Sequence, residues 1–178
     1  HGAVDDIADV ERAALVFAIV FGHQAVTFEA QRQPRPQLLL GESFEARPAG
    51  ADDMKGMRRL LGEAMDAGAF GFSTGLVYAP SAYSNTDELI ALAKSISSRG
   101  GYYFSHIRGE SSMLLDSINE AIRIGEEGGV GVQVSHVKAS GKENWPKIDA
   151  ALRLFETARA RRVGVLGDGY PYNAGSPK

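Results

Sequence analysis

Two stretches of the sequence decide the fold: GGYYFSHIRGE at residues 100–110 and GVGVQVSHVKASG at residues 129–141. In each, an apolar run with the composition of a buried strand ends in Ser-His and passes into a polar loop. Between them, the apolar positions of residues 111–127 recur at helical spacing. His106 and His136 are 30 residues apart, which is about the length of one strand–helix unit. The pattern predicts two neighbouring parallel strands with a histidine at equivalent points of their carboxyl ends.

The rest of the chain repeats this alternation. Apolar runs predict three further strands, and apolar positions at helical spacing predict three further helices. The strands are expected to end near Phe21, Thr74 and Gly167, and the helices to span residues 52–67, 86–99 and 145–161, the last with Pro146 in its first turn. Residues 23–50 contain three prolines and are interpreted as a loop or a short insertion. Strands alternating with long helices predict an α/β fold with a parallel sheet, here of five strands.

Composition narrows the class of protein. With 44% apolar and 23% charged residues, the 178-residue chain is typical of globular proteins. The net charge of −3 indicates neither a nucleic-acid nor a membrane partner, and no apolar run reaches the roughly 18 residues of a membrane span. These residues include no cysteine, which excludes disulfides and cysteine-based zinc sites within them. Both ends are interpreted as cut from a longer protein, and a cytoplasmic location is expected.

Both histidines are predicted to lie at the carboxyl-terminal edge of the sheet, where the active sites of (β/α)8 barrels are found. Adjacent strands are about 4.8 Å apart, so imidazoles from neighbouring strands can converge on one metal ion. We expect the nearest ring nitrogens of His106 and His136 to be within about 3–5 Å of each other. The alternative is that each histidine is an ordinary hydrogen-bonded group. His23, at the end of the first predicted strand, is a further candidate with less support from its neighbours.

Charged and aromatic residues follow the predicted strands. Arg108 and Lys138 each stand two positions after a histidine, and each is either an anion-binding residue or a solvated charge. For Lys138, pairing with Glu110 is a further alternative. Asp168, in the loop GDGYPY after the last strand, is either a ligand or a turn-forming residue. The segment GFSTGLVYAPSAY at residues 71–83 is either a surface loop or a pocket wall.

Four motifs, taken in order, carry a family resemblance: GAFGFSTGLVYAPSAYSNTDEL, YYFSHIRGES, VQVSHVKASG and DGYPYNAGS. They resemble the D-aminoacylase (N-acyl-D-amino-acid deacylase) branch of the amidohydrolase superfamily, over about residues 52–176. The resemblance implies an α/β fold that is a partial (β/α)8 TIM-type barrel, roughly strands 3–7. Residues 1–178 would be a central fragment of one barrel domain, in which residues 1–51 are poorly defined. It also implies zinc-dependent hydrolysis of N-acyl-D-amino acids, small-molecule substrates, to a carboxylate and a free D-amino acid.

The resemblance also implies roles for particular residues. His106 and His136 match zinc-binding histidines, with one or two ions expected. The positions matched to the substrate are Lys138, Tyr170, Ser176, Val77 and Tyr78, with Tyr170 also a catalytic hydrogen-bond donor to the polarised carbonyl, and Arg108 is kept as a substrate-binding candidate. The family's strand-1 His-x-His, strand-2 Cys and strand-8 Asp have no counterpart in residues 1–178, and GDGYPY departs from the usual ADQYPY. The fragment is therefore expected to have an open sheet and to be inactive alone.

Two other functions stay open on the sequence. One is a different metal-dependent hydrolase of cyclic amides, similar to dihydroorotase. The other is a non-catalytic α/β binding domain whose histidines are structural. Flanking sequence with His-x-His upstream and Asp downstream would favour a hydrolase.

Overall fold

The structure is a computed structural model that describes residues 49–79 and 81–172, together with the backbone of two short strands at 18–21 and 24–27. Its strands are β1 (Ala18–Phe21), β2 (Gln24–Thr27), β3 (Gly71–Gly75), β4 (Tyr102–His106), β5 (Gly131–Val134) and β6 (Val165–Gly167). Its helices are α1 (Ala51–Asp66), α2 (Thr86–Ser97), α3 (Leu114–Gly128) and α4 (Ile148–Ala160). Short 3₁₀ segments lie at Ser81–Tyr83 and Lys142–Lys147.

The central sheet has four parallel strands in the order β3-β4-β5-β6, so each strand lies beside the next one along the chain. A helix separates each pair, as parallel pairing requires a long crossover. The β4–β5 register pairs Tyr102 with Gly131 and Ser105 with Val134. The predicted α/β fold with a parallel sheet is confirmed.

The two faces of the sheet differ. Alternate strand residues, including Phe72, Tyr103, Val132 and Val134, are buried in one cluster with apolar residues of the helices. The intervening residues of β4, such as Tyr102 and His106, are exposed or half-buried. Side chains alternate between the faces of a strand, so one face packs against the helices and His106 lies on the other.

Local sequence signals set the helix ends. Asn85 precedes α2, and its side chain accepts a hydrogen bond from the Glu88 backbone N–H at 2.9 Å. The Glu88 carboxylate accepts one in return from the Asn85 N–H, also at 2.9 Å, which completes a capping box. At the other end of α3, Gly129 adopts φ 69°, a left-handed conformation that glycine permits without strain. None of the helices in the described ranges is long and apolar enough to cross a membrane.

Two sequence expectations about elements are corrected. The strand ending at Phe21 pairs antiparallel with β2, a strand inside the stretch interpreted as a loop, so the parallel sheet has four strands and not five. Two residues separate β1 from β2, and a connection that short allows only antiparallel pairing. The last helix begins at Ile148, because Pro146 lies in the preceding 3₁₀ segment.

A buried polar cluster lies on the helix-facing side of the sheet. The Tyr103 hydroxyl is 2.7 Å from Thr74 Oγ1 and donates to Ser105 Oγ at 3.2 Å. Burial raises the pKa of Tyr103 to about 12, so the phenol stays neutral at all physiological pH values. These three side chains pin β3 to β4 from within the core.

Two glycines on helices should respond oppositely to alanine. A Cβ at Gly128 would lie 2.4 Å from Ala93 Cβ on α2, whereas at Gly62 on α1 the nearest atom, on the flexible Arg99 side chain, is 3.9 Å away. We expect Gly128→Ala to lower the free energy of unfolding by about 1–3 kcal/mol through overpacking. Gly62→Ala should raise it by up to about 1 kcal/mol, since alanine favours the helix. Denaturant unfolding of both variants measures this, and equal shifts would contradict the helix packing described.

Candidate metal centre

His106 and His136 lie together at the carboxyl-terminal edge of the sheet. Their ring centroids are 4.4 Å apart, with an angle of 68° between the ring planes. One nitrogen of each ring lies within 4.8 Å of the other. The expected 3–5 Å approach of the ring nitrogens is therefore confirmed. His106 is the last residue of β4, and His136 stands two residues beyond the end of β5.

The two histidines are not at equivalent strand positions, which corrects the sequence interpretation. The register relates β4 to β5 by 29 residues, so Ser105 pairs with Val134, whereas the histidines are 30 residues apart. An extended chain would therefore turn His136 toward the buried side, like Val134. Instead, the strand ends at Val134 and His136 adopts φ 41°, in the left-handed region. This turn accompanies the close approach of its ring to His106.

Glu110 completes a group of three possible metal ligands. One carboxylate oxygen of Glu110 and one nitrogen of each histidine all lie within 4.8 Å of one another. Glu110 Oε1 is 2.9 Å from His136 Nδ1, and the side chain is only 17% exposed. The Glu110 backbone carbonyl accepts a hydrogen bond from Ser140 N at 2.7 Å, which ties the loop after β4 to the loop after β5. Sequence analysis considered Glu110 only as a partner for Lys138; the motif His-x-Arg-x-Glu was the signal that it belongs to the site.

Lys138 lies beside the same three side chains. Its ammonium forms an ion pair with Glu110 Oε1 and also lies 3.0 Å from His136 Nδ1 and 3.3 Å from the His136 carbonyl oxygen. The pairing with Glu110, which the sequence left as an alternative, is therefore present. Lys138 does not reach this position along an extended strand, since β5 ends at Val134.

The contacts of His136 Nδ1 depend on its tautomer. With the proton on Nδ1, the ring donates to Glu110; with the proton on Nε2, the ring accepts from Lys138. A metal-binding imidazole usually donates from one nitrogen to a carboxylate or carbonyl and binds the metal through the other. The first tautomer fits that arrangement and leaves Nε2 for an ion.

Tyr78 and Val77 lie in the turn after β3, next to the histidines. The Tyr78 ring centroid is 5.2 Å from that of His106, and the tyrosine is 47% exposed. Gly75 makes this possible, because a Cβ there would come within 2.9 Å of the Tyr78 ring. Val77 is half-buried. The position of Tyr78 fits the predicted wall of a pocket at this edge.

The loop after β6 brings Tyr170 and Asp168 to the same edge. Lys138 Nζ is 5.7 Å from the centroid of the Tyr170 ring, which is 38% exposed. Asp168 Oδ1 accepts a hydrogen bond from the His136 backbone N–H at 2.7 Å. Asp168 is not among the three possible metal ligands of the described residues. Ser176 and His23 lie outside the described residues.

Arg108 differs from its expected role. Its guanidinium makes two hydrogen bonds with the Glu120 carboxylate, at 3.0 and 2.9 Å, and donates to the carbonyls of Ala82 and Ser84 at 2.8 and 3.0 Å. The hydrogen bond with Glu120 is the main reason the pKa of Arg108 is raised. These contacts hold the segment before α2 against α3. They favour a structural role over the predicted binding of substrate, because the donors are already engaged.

Comparison with known proteins identifies the family. No protein-family model matches the chain. It is 33% identical over 168 residues to N-acyl-D-glutamate deacylase from Alcaligenes xylosoxydans xylosoxydans, covering 94% of this chain and 32% of that protein. It is 41% identical over 130 residues to D-aminoacylase from the same organism, covering 73% of this chain and 27% of that protein. The chain belongs to the D-aminoacylase family of the amidohydrolase superfamily.

A solved structure of the family gives the same fold. N-acyl-D-glutamate deacylase from Bordetella bronchiseptica, complexed with zinc and a phosphonate inhibitor that mimics the tetrahedral intermediate, superposes with a TM-score of 0.69. The sequence identity is 36%, over 72% of this chain and 27% of that one. The parallel sheet with its helices thus matches part of the TIM barrel of the amidohydrolases. The chain spans about a third of the length of the curated relatives it matches, 32% and 27% for the two above.

The structural role of Arg108 can be tested by stability. Arg108→Ala should lower the free energy of unfolding by about 2–3 kcal/mol, since it leaves the half-buried Glu120 carboxylate without its main partner. The control, Arg59→Ala, removes an exposed pair with Glu63 and should cost less than about 1 kcal/mol. Chemical denaturation measures both. A loss of substrate affinity in Arg108→Ala with unchanged stability would restore the original expectation.

Proposed function

We propose that the protein carrying this chain hydrolyses the amide bond of N-acyl-D-amino acids, with zinc held in part by His106 and His136. The observation that supports this most is the convergence of two imidazoles and the Glu110 carboxylate within 4.8 Å at the carboxyl-terminal edge of a parallel sheet. Active sites of barrel enzymes occupy that edge. The named activities of the relatives, N-acyl-D-glutamate deacylase and D-aminoacylase, indicate the class of substrate.

The donor atoms suit zinc. Zinc in proteins is bound by imidazole nitrogen and carboxylate oxygen at about 2.0–2.2 Å, and catalytic sites commonly combine histidines with one carboxylate. His106 and His136 would hold the ion, and Glu110 would either bind it as well or orient His136 through Nδ1. Bound zinc would supply Lewis acidity, polarising the scissile carbonyl and lowering the pKa of water. A single ion needs further ligands beyond these three or a water molecule to complete a tetrahedron.

The remaining residues at this edge would bind and orient the substrate. The Lys138 ammonium would hold the substrate carboxylate, and the electrostatic attraction would be shared with Glu110, its present partner. Tyr170, whose ring lies near Lys138, would donate a hydrogen bond to the oxygen that gains negative charge as water attacks the carbonyl carbon. Cleavage of the carbon–nitrogen bond and protonation of the amine would give a carboxylate and a D-amino acid. Tyr78 and Val77 would contact the substrate side chain, and Ser176 its carboxylate.

Metal binding tests the two histidines directly. In the complete protein, His106→Ala and His136→Ala should each weaken zinc affinity by more than the roughly 10–100-fold typical of residues that only orient a ligand. Tyr170→Phe, at the same edge, is the control and should keep zinc. Chelator competition and metal analysis after dialysis provide the measurement. Unchanged zinc affinity in both histidine variants would exclude this metal site.

Recognition of the substrate carboxylate tests Lys138. Lys138→Ala should raise KM for N-acyl-D-amino acids by a factor corresponding to about 1.5–3 kcal/mol, the value of a hydrogen bond to a charged group. KM for the matching amides, which lack the carboxylate, should change far less. Lys55→Ala, on the exposed surface of α1, is the control for loss of a positive charge. Equal weakening of both substrates would show that Lys138 acts on the site and not on the carboxylate.

A further inference from the structure

The backbone of His136 is the unusual feature of this site. Its φ of 41° lies in the left-handed region, which residues other than glycine seldom adopt and histidine adopts more often than most. The β4–β5 register would otherwise direct the side chain toward the buried face. Some interaction must therefore keep the chain in this turn if the ring is to remain beside His106.

Asp168 supplies that interaction. Its Oδ1 accepts a hydrogen bond from the His136 N–H at 2.7 Å, and its Oδ2 accepts one from Gln133 Nε2 at 2.6 Å. Its backbone N–H donates to the Val134 carbonyl at 3.2 Å, and its carbonyl accepts from Val137 N at 2.8 Å. Asp168 thus contacts the chain before, at and after the turn.

The neighbouring glycine allows the loops to approach this closely. A Cβ at Gly167 would lie 3.1 Å from Val137 Cγ2 and 3.4 Å from Phe155 Cζ, which is tighter than ordinary contact. The end of β6 therefore packs directly on the residue after His136. Asp168 itself is exposed, so its carboxylate adds little to core packing. Its hydrogen bonds are concentrated on the turn that carries His136.

We propose that Asp168 is a positioning residue that holds the backbone of His136 in its left-handed turn and so presents the imidazole to the metal. This inference rests on the proposed zinc site and adds a residue to it. Asp168 would act through the peptide N–H of His136 and would not bind the ion, in keeping with its place outside the group of three possible ligands. Of the two interpretations left open by the sequence, ligand or turn-forming residue, this is the second, with a consequence for the metal.

Three variants separate positioning from other roles. Asp168→Ala removes both side-chain hydrogen bonds. Asp168→Asn keeps an oxygen for the His136 N–H and can donate to Gln133 once that amide is reversed. Gln133→Ala, the matched control, removes only the contact that does not involve His136.

The measurements are zinc affinity by chelator competition and the visible spectrum of the cobalt-substituted complete protein, which reports ligand geometry. Asp168→Ala should weaken zinc binding roughly 10–100-fold and alter the cobalt spectrum, as expected when a ligand loses its orientation. Asp168→Asn and Gln133→Ala should each lose less than about tenfold and keep the spectrum. Thermal unfolding of all three checks that the fold is retained.

Each contrary result has a distinct meaning. If the wild-type protein binds zinc and Asp168→Ala binds it equally well, the positioning role is wrong and the proposed function stands. If Asp168→Asn is as weak as Asp168→Ala, the carboxylate charge or direct ligation matters, and positioning is again wrong. If the wild-type protein binds no zinc through His106 and His136, the proposed function fails together with this inference.

Discussion

The parallel hydrogen-bonded pairing of β4 with β5 is the constraint on which the candidate site depends. It brings the carboxyl ends of two consecutive strands to one edge and sets which residues share a face. Because Ser105 pairs with Val134, His106 has its side chain on the face away from the helices, but His136 would not if the strand continued. The site therefore needs both a regular sheet and an abrupt end to one of its strands. A left-handed residue at position 136 meets the second requirement.

Charge balance is the next requirement of this edge. An ammonium and a divalent ion near the same imidazole repel each other, and the repulsion is strong where water is partly excluded. The Glu110 carboxylate contacts both Lys138 and His136, so it offsets positive charge at the point where it accumulates. A carboxylate from the substrate would contribute in the same way. We infer that Glu110 makes it possible for Lys138 to stand beside a metal ligand at all, whether or not Glu110 binds the ion itself.

Much of this arrangement could be predicted from the sequence, because periodicity and composition report local structure. The alternation of strands and helices and the convergence of His106 with His136 follow from such patterns, and family membership was recognisable from four motifs. The register between β4 and β5 could not be predicted, since a shift of one residue leaves the apolar pattern nearly unchanged. The role of Arg108 also depends on tertiary contacts with Glu120, twelve residues away, which no local pattern encodes. The antiparallel β1–β2 pair was missed because a four-residue strand carries little periodic signal.

The two faces of the sheet divide stability from chemistry. On the helix-facing side, Tyr103 and Ser105 are buried and hydrogen-bonded, and changes there act on the whole fold. On the other side, His106 lies near side chains supplied by three different loops, each of which could move independently if it were not restrained.

Backbone hydrogen bonds between successive loops provide that restraint. Leu76 N donates to the carbonyl of His106, Ser140 N to that of Glu110, and Val137 N to that of Asp168, all at 2.7–3.0 Å. Each bond joins the loop after one strand to the loop after the next, so the rim of the site continues the sheet beyond the point where its regular pairing ends. Polar side chains at this edge consequently start from a backbone that is already ordered, and the entropy lost on binding a metal or substrate is correspondingly smaller. The rim, more than any single ligand, is what converts strand pairing into a preformed site.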